Sequence, residues 1–151
     1  MFCRGELGVQ AKKSGGARLR RKEILVIDDE ENILHILKIR LENEGYEVIT
    51  TTDPVDGIGK AFFTIPDLIL LDITMPKLSG FEVLKVVSQS DDLKNIPIIM
   101  LTARREPQDI EKVLKLGAVD YCAKPFEWNV LKGKIEKAIK VEEGLKNKHR
   151  S

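Results

Sequence analysis

The sequence predicts an α/β domain: a doubly wound, five-stranded parallel sheet with five helices covering its two faces. Two observations carry this. From residue 23 onward, short runs rich in β-branched residues alternate with amphipathic segments of helical length, the order that builds a parallel sheet. The runs are also nearly continuously apolar rather than alternating, as strands covered on both faces are. At 151 residues the chain holds one ordinary domain with little left over.

Taken in order, the strands are "EILVID" (23–28), "YEVIT" (46–50), "DLILLD" (67–72), "IPIIMLT" (96–102) and the weaker "AVDYCA" (118–123). The first helix, 30–44, repeats Ile33, Leu37 and Leu41 every fourth residue, with Leu34 and Ile36 widening the stripe, and Gly45 is a natural stop. The second, 54–62, opens with Asp53 as cap and Pro54 at its first position, though Gly57 and Gly59 weaken it. The third starts at a capping box, "SGFE" (79–82), in which Ser79 and Glu82 are three apart and Leu78 and Val83 are placed as the flanking staple. In the fourth, 107–116, Ile110, Val113 and Leu114 form an apolar face closed by Gly117. The last, 127–143, does the same with Val130, Leu131, Ile135, Ala138 and Ile139, and Gly133 costs it about 1 kcal/mol relative to alanine.

Composition excludes several classes. No apolar run is long enough to span a bilayer, and "MFCRGELGVQAKKSGGARLRRK" has no apolar segment of the secretory kind. Two cysteines, Cys3 and Cys122, make no disulfide framework, so a reducing, cytoplasmic setting is expected. Net charge is +1, but residues 1–22 carry seven Lys/Arg against Glu6, which leaves −5 for the rest. A basic arm for nucleic acid or membrane is one reading of residues 1–21. A disordered leader is the other and preferred one, because the segment has Gly-Gly and no apolar periodicity. Residues 22–145 are then the folded domain and 146–151 a short polar tail.

In such a sheet, ligands gather in the crevice at the carboxyl ends of the strands. Those ends carry Asp28-Asp29, Asp72, Thr102 and Lys124-Pro125. Three carboxylates at one edge repel unless a cation intervenes, and hard oxygen donors suit Mg²⁺ (or Mn²⁺). No His/Cys cluster points to zinc. Lys124 adds a compact positive charge and Thr102 a hydroxyl donor. Metal, ammonium and hydroxyl around one carboxylate suit phosphoryl transfer, in which positioning and charge neutralisation do most of the work, with aspartate as acceptor.

At "VIDDE" (26–30), "LILLDITMPKLSG" (68–80), "IIMLTA" (98–103) and "GAVDYCAKPF" (117–126) the chain resembles the response-regulator receiver domain, the phosphoacceptor module of two-component signalling. The likeness covers roughly residues 22–145, with five landmarks in register. It implies a flavodoxin-like receiver fold with strand order 2-1-3-4-5. It also implies that Asp72 is phosphorylated from a sensor histidine kinase or phosphotransfer protein. Asp29 and Asp72 would hold the metal directly, Asp28 through water, and the backbone carbonyl of Thr74 would complete the protein ligands. Lys124 would contact the phosphoryl group, across a cis Lys124–Pro125 bond. Thr102 and Tyr121 would form a switch pair that biases a partner-binding surface within 105–143. Thr74 and Arg104, each two residues past a site residue, occupy the positions at which the family tunes phosphoryl lifetime. Replacing Arg104 by alanine is therefore expected to change the autodephosphorylation rate; an unchanged phosphoryl half-life would refute that.

Each residue also has a plainer reading. Asp28 and Asp29 suit the N-terminus of the following helix, but beside Asp72 and Lys124 metal binding accounts for them better. Glu30 and Glu31 read as first-turn helix acids. Tyr121 suits edge-strand packing, and Trp128 is either a partner anchor or packing beside Phe126. His35 reads as a surface residue, and Arg104-Arg105 as a pair that steers an acidic partner. An aspartyl-phosphate phosphatase on a similar sheet would carry an acid where Thr74 stands. Nucleotide binding lacks a GxxxxGK[ST] segment, and a scaffold that works without phosphorylation would be expected to have lost an acid or the lysine. The chemistry expected is thus self-phosphorylation and autodephosphorylation, not conventional enzymology. If the chain is complete, output runs through protein contacts, as in chemotaxis-type or relay-type single-domain regulators, without direct nucleic-acid or membrane binding. If it is a fragment, an effector domain is missing. Helices within 107–143 also offer a homodimer face, as in many relatives.

Overall fold

β1 (Glu23–Ile27) lies inside a five-stranded sheet of order β2-β1-β3-β4-β5 in which every pairing is parallel. This is a computed structural model that describes residues 20–103 and 106–150. The strands are β2 (Glu47–Thr51), β3 (Leu68–Asp72), β4 (Ile98–Thr102) and β5 (Asp120–Ala123). Between them run α1 (Glu31–Asn43), α2 (Pro54–Thr64), α3 (Gly80–Gln89) and α4 (Pro107–Lys115), and α5 (Trp128–Arg150) follows β5. Among the described residues this is the expected doubly wound sandwich. β1, β3 and β4 are buried along their whole length, which explains their unbroken apolar sequences.

Because side chains alternate along a strand, the same runs supply two separate cores. Ile24, Val26, Leu68, Leu70, Ile99 and Leu101 meet Leu34, Leu37 and Leu41 of α1 and Leu131, Ile135 and Ile139 of α5. Leu25, Ile27, Ile69, Leu71, Ile98 and Met100 face the opposite side, with Ala61 of α2, Val83, Leu84 and Val87 of α3 and Val113 of α4. The strand order reverses between β1 and β3, so a crevice opens beyond Ile27 and Asp72.

Local signals explain most helix ends. Asp53 accepts hydrogen bonds from the backbone N–H groups of Val55 and Asp56, and Ser79 and Glu82 form the reciprocal capping box. Gly45 and Gly117 both adopt the left-handed backbone (φ 95° and 118°) just past α1 and α4.

Other expectations are corrected. On α1, Ile36 is 46% exposed, and the buried stripe is Leu34, Leu37 and Leu41. On α4 the face narrows to Val113, and Leu114 is 43% exposed, since a nine-residue helix at the sheet margin touches it along one ridge. On α5, Val130 is exposed. The polar tail assigned to 146–151 is instead continuous with α5 as far as Arg150. Residues 145–150 contain neither glycine nor proline, and their basic character suits a helix C-terminus. The leader assigned to 1–21 lies outside the described residues up to 19. Arg20, however, pairs with the buried carboxylate of Asp67 at 3.3 Å, and that carboxylate also accepts the Glu23 N–H at 2.7 Å.

Gly80, at the start of α3, packs against the loop after β3. A Cβ there would lie 2.1 Å from the Asp72 carbonyl oxygen and 2.6 Å from the Ile73 Cα. Since backbone must move to admit a methyl group, Gly80→Ala is expected to destabilise the fold by roughly 2–4 kcal/mol. Urea unfolding measures this; a loss below about 0.5 kcal/mol would refute the packing argument.

Candidate functional site

Asp28 is the first residue past β1 and is completely buried. Its backbone N–H donates to the Thr51 carbonyl at 3.2 Å, continuing the ladder one step beyond the strand. One carboxylate oxygen accepts the Glu30 N–H at 2.9 Å and the other accepts Lys124 Nζ at 2.6 Å. Asp29, next in sequence, is exposed. Asp72 closes β3, is also buried, and accepts the Thr74 N–H at 3.3 Å. Carboxylate oxygens of Asp28, Asp29 and Asp72 all lie within 4.8 Å of one another.

Lys124 reaches this cluster from the far side, just beyond β5. Its backbone N–H donates to the Thr102 carbonyl at 2.8 Å. The Lys124–Pro125 peptide bond is cis. Besides Asp28, Nζ lies 3.0 Å from a Glu30 oxygen and 3.7 Å from an Asp72 oxygen.

Burial and mutual repulsion dominate the electrostatics. Burial, then the neighbouring charge of Asp28, raises the Asp72 carboxyl to about 7 against the pull of Lys124. Burial also raises Asp28, opposed by its hydrogen bond from Lys124. Burial alone would lower the Lys124 ammonium, but its hydrogen bonds to Asp28 and Glu30 more than offset this and raise it. Three carboxylates facing one ammonium leave the pocket short of positive charge, and every available donor is a hard oxygen. The set fits a divalent cation of the Mg²⁺ or Mn²⁺ kind.

Thr102 ends β4 and is buried. Tyr121 pairs with Met100 in the sheet register, two residues before Thr102. By the strand alternation, Thr102, Met100 and Tyr121 therefore share one face, the one that α4 covers. Tyr121 is half-buried there, with Lys134 Nζ 5.6 Å from its ring centroid. Thr74 is exposed in the loop after β3. Arg104, and Arg105 with it, lies outside the described residues. Trp128 and Phe126 both pack on the α1/α5 core, and the Arg40 guanidinium sits 5.5 Å from the Trp128 ring centroid. His35 is exposed on α1.

Glu30 is the site residue that sequence reasoning missed. It is the N-cap residue of α1 rather than a first-turn acid, its side chain makes no capping hydrogen bond, and it reaches Lys124 instead. Adjacency to Asp28-Asp29 was the one available signal, and a 94-residue separation from Lys124 concealed the partner.

Comparison with known proteins bears on the family and the fold. The family model described as "Response regulator receiver domain" matches residues 24–136. The chain is 43% identical over 122 residues to the alkaline phosphatase synthesis transcriptional regulatory protein PhoP of Bacillus subtilis, covering 81% of this chain and 50% of that one. It is 40% identical over 125 residues to a probable transcriptional regulator, ycf27, of Cyanophora paradoxa (83% and 51%). The chain thus spans about half the length of the curated relatives it matches. Among solved structures, a CheY-like receiver domain protein of Methanospirillum hungatei is similar at TM-score 0.78 and 31% identity, covering 82% of this chain and 98% of that one. Vibrio cholerae chemotaxis protein CheY4 is similar at TM-score 0.75 and 30% identity (78% and 98%).

Proposed function

The chain belongs to the response regulator receiver domain family, and from that premise we propose that Asp72 is the phosphoacceptor of a two-component signalling switch. The observation that carries this reading is the buried Asp72 carboxylate, held within 4.8 Å of two other acids and 3.7 Å from an ammonium group. An Asp72 oxygen attacks the phosphorus of a phosphohistidine on a sensor histidine kinase or phosphotransfer protein. The P–N bond breaks as the new P–O bond forms, and the imidazole leaves with the electron pair. Asp29, Asp72 and the Thr74 backbone carbonyl would hold a divalent ion, Mg²⁺ or Mn²⁺, with Asp28 acting through water, and the ion would supply positive charge to offset that of the transferring group. Lys124 contacts the phosphoryl oxygens, and the Thr102 hydroxyl moves toward them. Tyr121 follows on the same sheet face, altering the surface within 105–143 that a downstream protein reads. Catalysis ends there: the chain accepts a phosphoryl group and later hydrolyses it. Arg104 and Thr74 tune that second step, and the protein works in the cytoplasm; among the described residues no helix is long and apolar enough to cross a membrane.

The length of the relatives favours a second reading of the output. Both curated relatives are named as transcriptional regulators and are about twice as long as the matched region. The chain is then the receiver half of a regulator whose effector half acts on DNA, a function that this half would not perform itself. An aspartyl-phosphate phosphatase is disfavoured by Thr74, which stands where that chemistry needs an acid.

The test is incubation of the whole chain with acetyl phosphate, with Mg²⁺ or with excess chelator, followed by intact-mass measurement. A gain of one phosphoryl group that disappears with chelator is expected; no gain, or a gain indifferent to Mg²⁺, overturns the reading. Lys124→Ala should slow uptake about a hundredfold, because it removes a positioned charge from the transferring group. A rate within twofold of the parent would refute that role.

A further inference from the structure

Lys124 is shared among three acids, and the sharing is unequal. Nζ is 2.6 Å from Asp28, 3.0 Å from Glu30 and 3.7 Å from Asp72. The acid proposed to receive the phosphoryl group is thus the most distant of the three. Asp28 is wholly buried and pinned by the Glu30 N–H, so its hold on the ammonium is built into the fold. Glu30 is different. Its side chain is 59% exposed, makes no capping hydrogen bond, and leaves α1 to reach Lys124.

We propose that Glu30 is a positioning residue that restrains phosphorylation, drawing the Lys124 ammonium away from Asp72 and toward the rim of the pocket. The inference rests on the phosphoacceptor reading above. An ammonium has three donors on a flexible stem, and to meet an incoming phosphoryl oxygen Lys124 must give up or lengthen a contact it already has. Glu30 is the contact that solvent can replace, and its removal lets Nζ swing inward while Asp28 still holds it. The ion pair is mostly solvent-exposed on the Glu30 side, where such pairs are weak. The expected effect is correspondingly modest and lies in rate rather than in folding.

The experiment follows phosphoryl uptake from acetyl phosphate with Mg²⁺, in which the P–O bond to Asp72 forms as acetate departs. Four proteins are compared: the parent, Glu30→Gln, Lys124→Ala and the double variant. Glu30→Gln is expected to raise the observed rate constant about threefold to fivefold, with unfolding temperature unchanged. On the Lys124→Ala background the same change should alter the rate less than twofold, because the restraint acts through Lys124. A purely structural role for Glu30 would not show this dependence. Glu30→Ser, which removes the charge and supplies a preferred N-cap, should reproduce the gain if Glu30→Gln perturbs α1. An unchanged or lower rate in both single Glu30 variants overturns the proposal, as does an equal gain with and without Lys124. If the parent itself takes up no phosphoryl group, it is the phosphoacceptor reading that falls.

Discussion

Asp72→Ala is expected to abolish phosphoryl uptake, with no detectable mass gain under conditions that fully label the parent. Neighbouring acids cannot substitute, for reasons visible in their contacts. Asp28 has one oxygen occupied by the Glu30 N–H and the other by Lys124 at 2.6 Å, so neither has a free approach to phosphorus. Asp29 is exposed, so burial does not fix its carboxylate in one position as it fixes that of Asp72. Asp72 alone combines burial with a nearby but not bonded ammonium at 3.7 Å. A nucleophile also cannot be replaced by geometry or charge elsewhere, so the expected loss exceeds the hundredfold assigned to Lys124. Intact-mass measurement of parent and variant side by side decides it. Equal labelling of the two would mean that the acceptor is another residue.

The second large effect concerns stability without metal. Burial and the charge of Asp28 raise the Asp72 carboxyl to about 7, from an ordinary 3.8. For an acid raised on folding, ionisation costs more in the folded than in the unfolded chain. This cost is absent below the ordinary value and grows as pH rises toward and through 7. The metal-free protein should therefore melt at higher temperature near pH 5.5 than near pH 8. Asp72→Asn removes the charge and should raise the melting temperature at pH 8 by on the order of 5 °C, with a smaller gain at pH 5.5. Mg²⁺ should stabilise the parent at pH 8 by mass action and help the variant much less. Thermal melts with and without Mg²⁺ at both pH values measure all of these. A parent that melts higher at pH 8 than at pH 5.5 without metal, or a variant no more stable than the parent, would remove the account of a crowded acidic pocket.

Most of the fold was legible because its signals are local. Whether a run is buried on both faces is written in the run itself, as in "EILVI" and "LILLD". Caps at Asp53 and Ser79 depend on residues two or three positions away. Gly45 and Gly117 stop helices through their own backbone. The acids and the lysine were legible too, because strand ends in a parallel sheet converge on one edge. Where sequence reasoning erred, it lacked a partner. Ile36 and Leu114 are apolar and correctly spaced, yet whether they are covered depends on how much of the sheet their helix reaches. The extension of α5 to Arg150 was missed because charged residues read as a tail when nothing marks a stop.

The sequence by itself determined the alternation of elements, the two-faced core and which acids and lysine meet at the strand ends, since each follows from side-chain periodicity and from residue types at strand ends. Only the tertiary structure decided that Asp28 is buried and its neighbour Asp29 exposed, that Lys124 binds Asp28 and Glu30 more closely than Asp72, and that Gly80 abuts the Asp72 backbone. Those facts join residues up to 96 positions apart. Burial, charge sharing and close approach are properties of the space between elements, and that space exists only once the sheet has formed and its helices have closed over it.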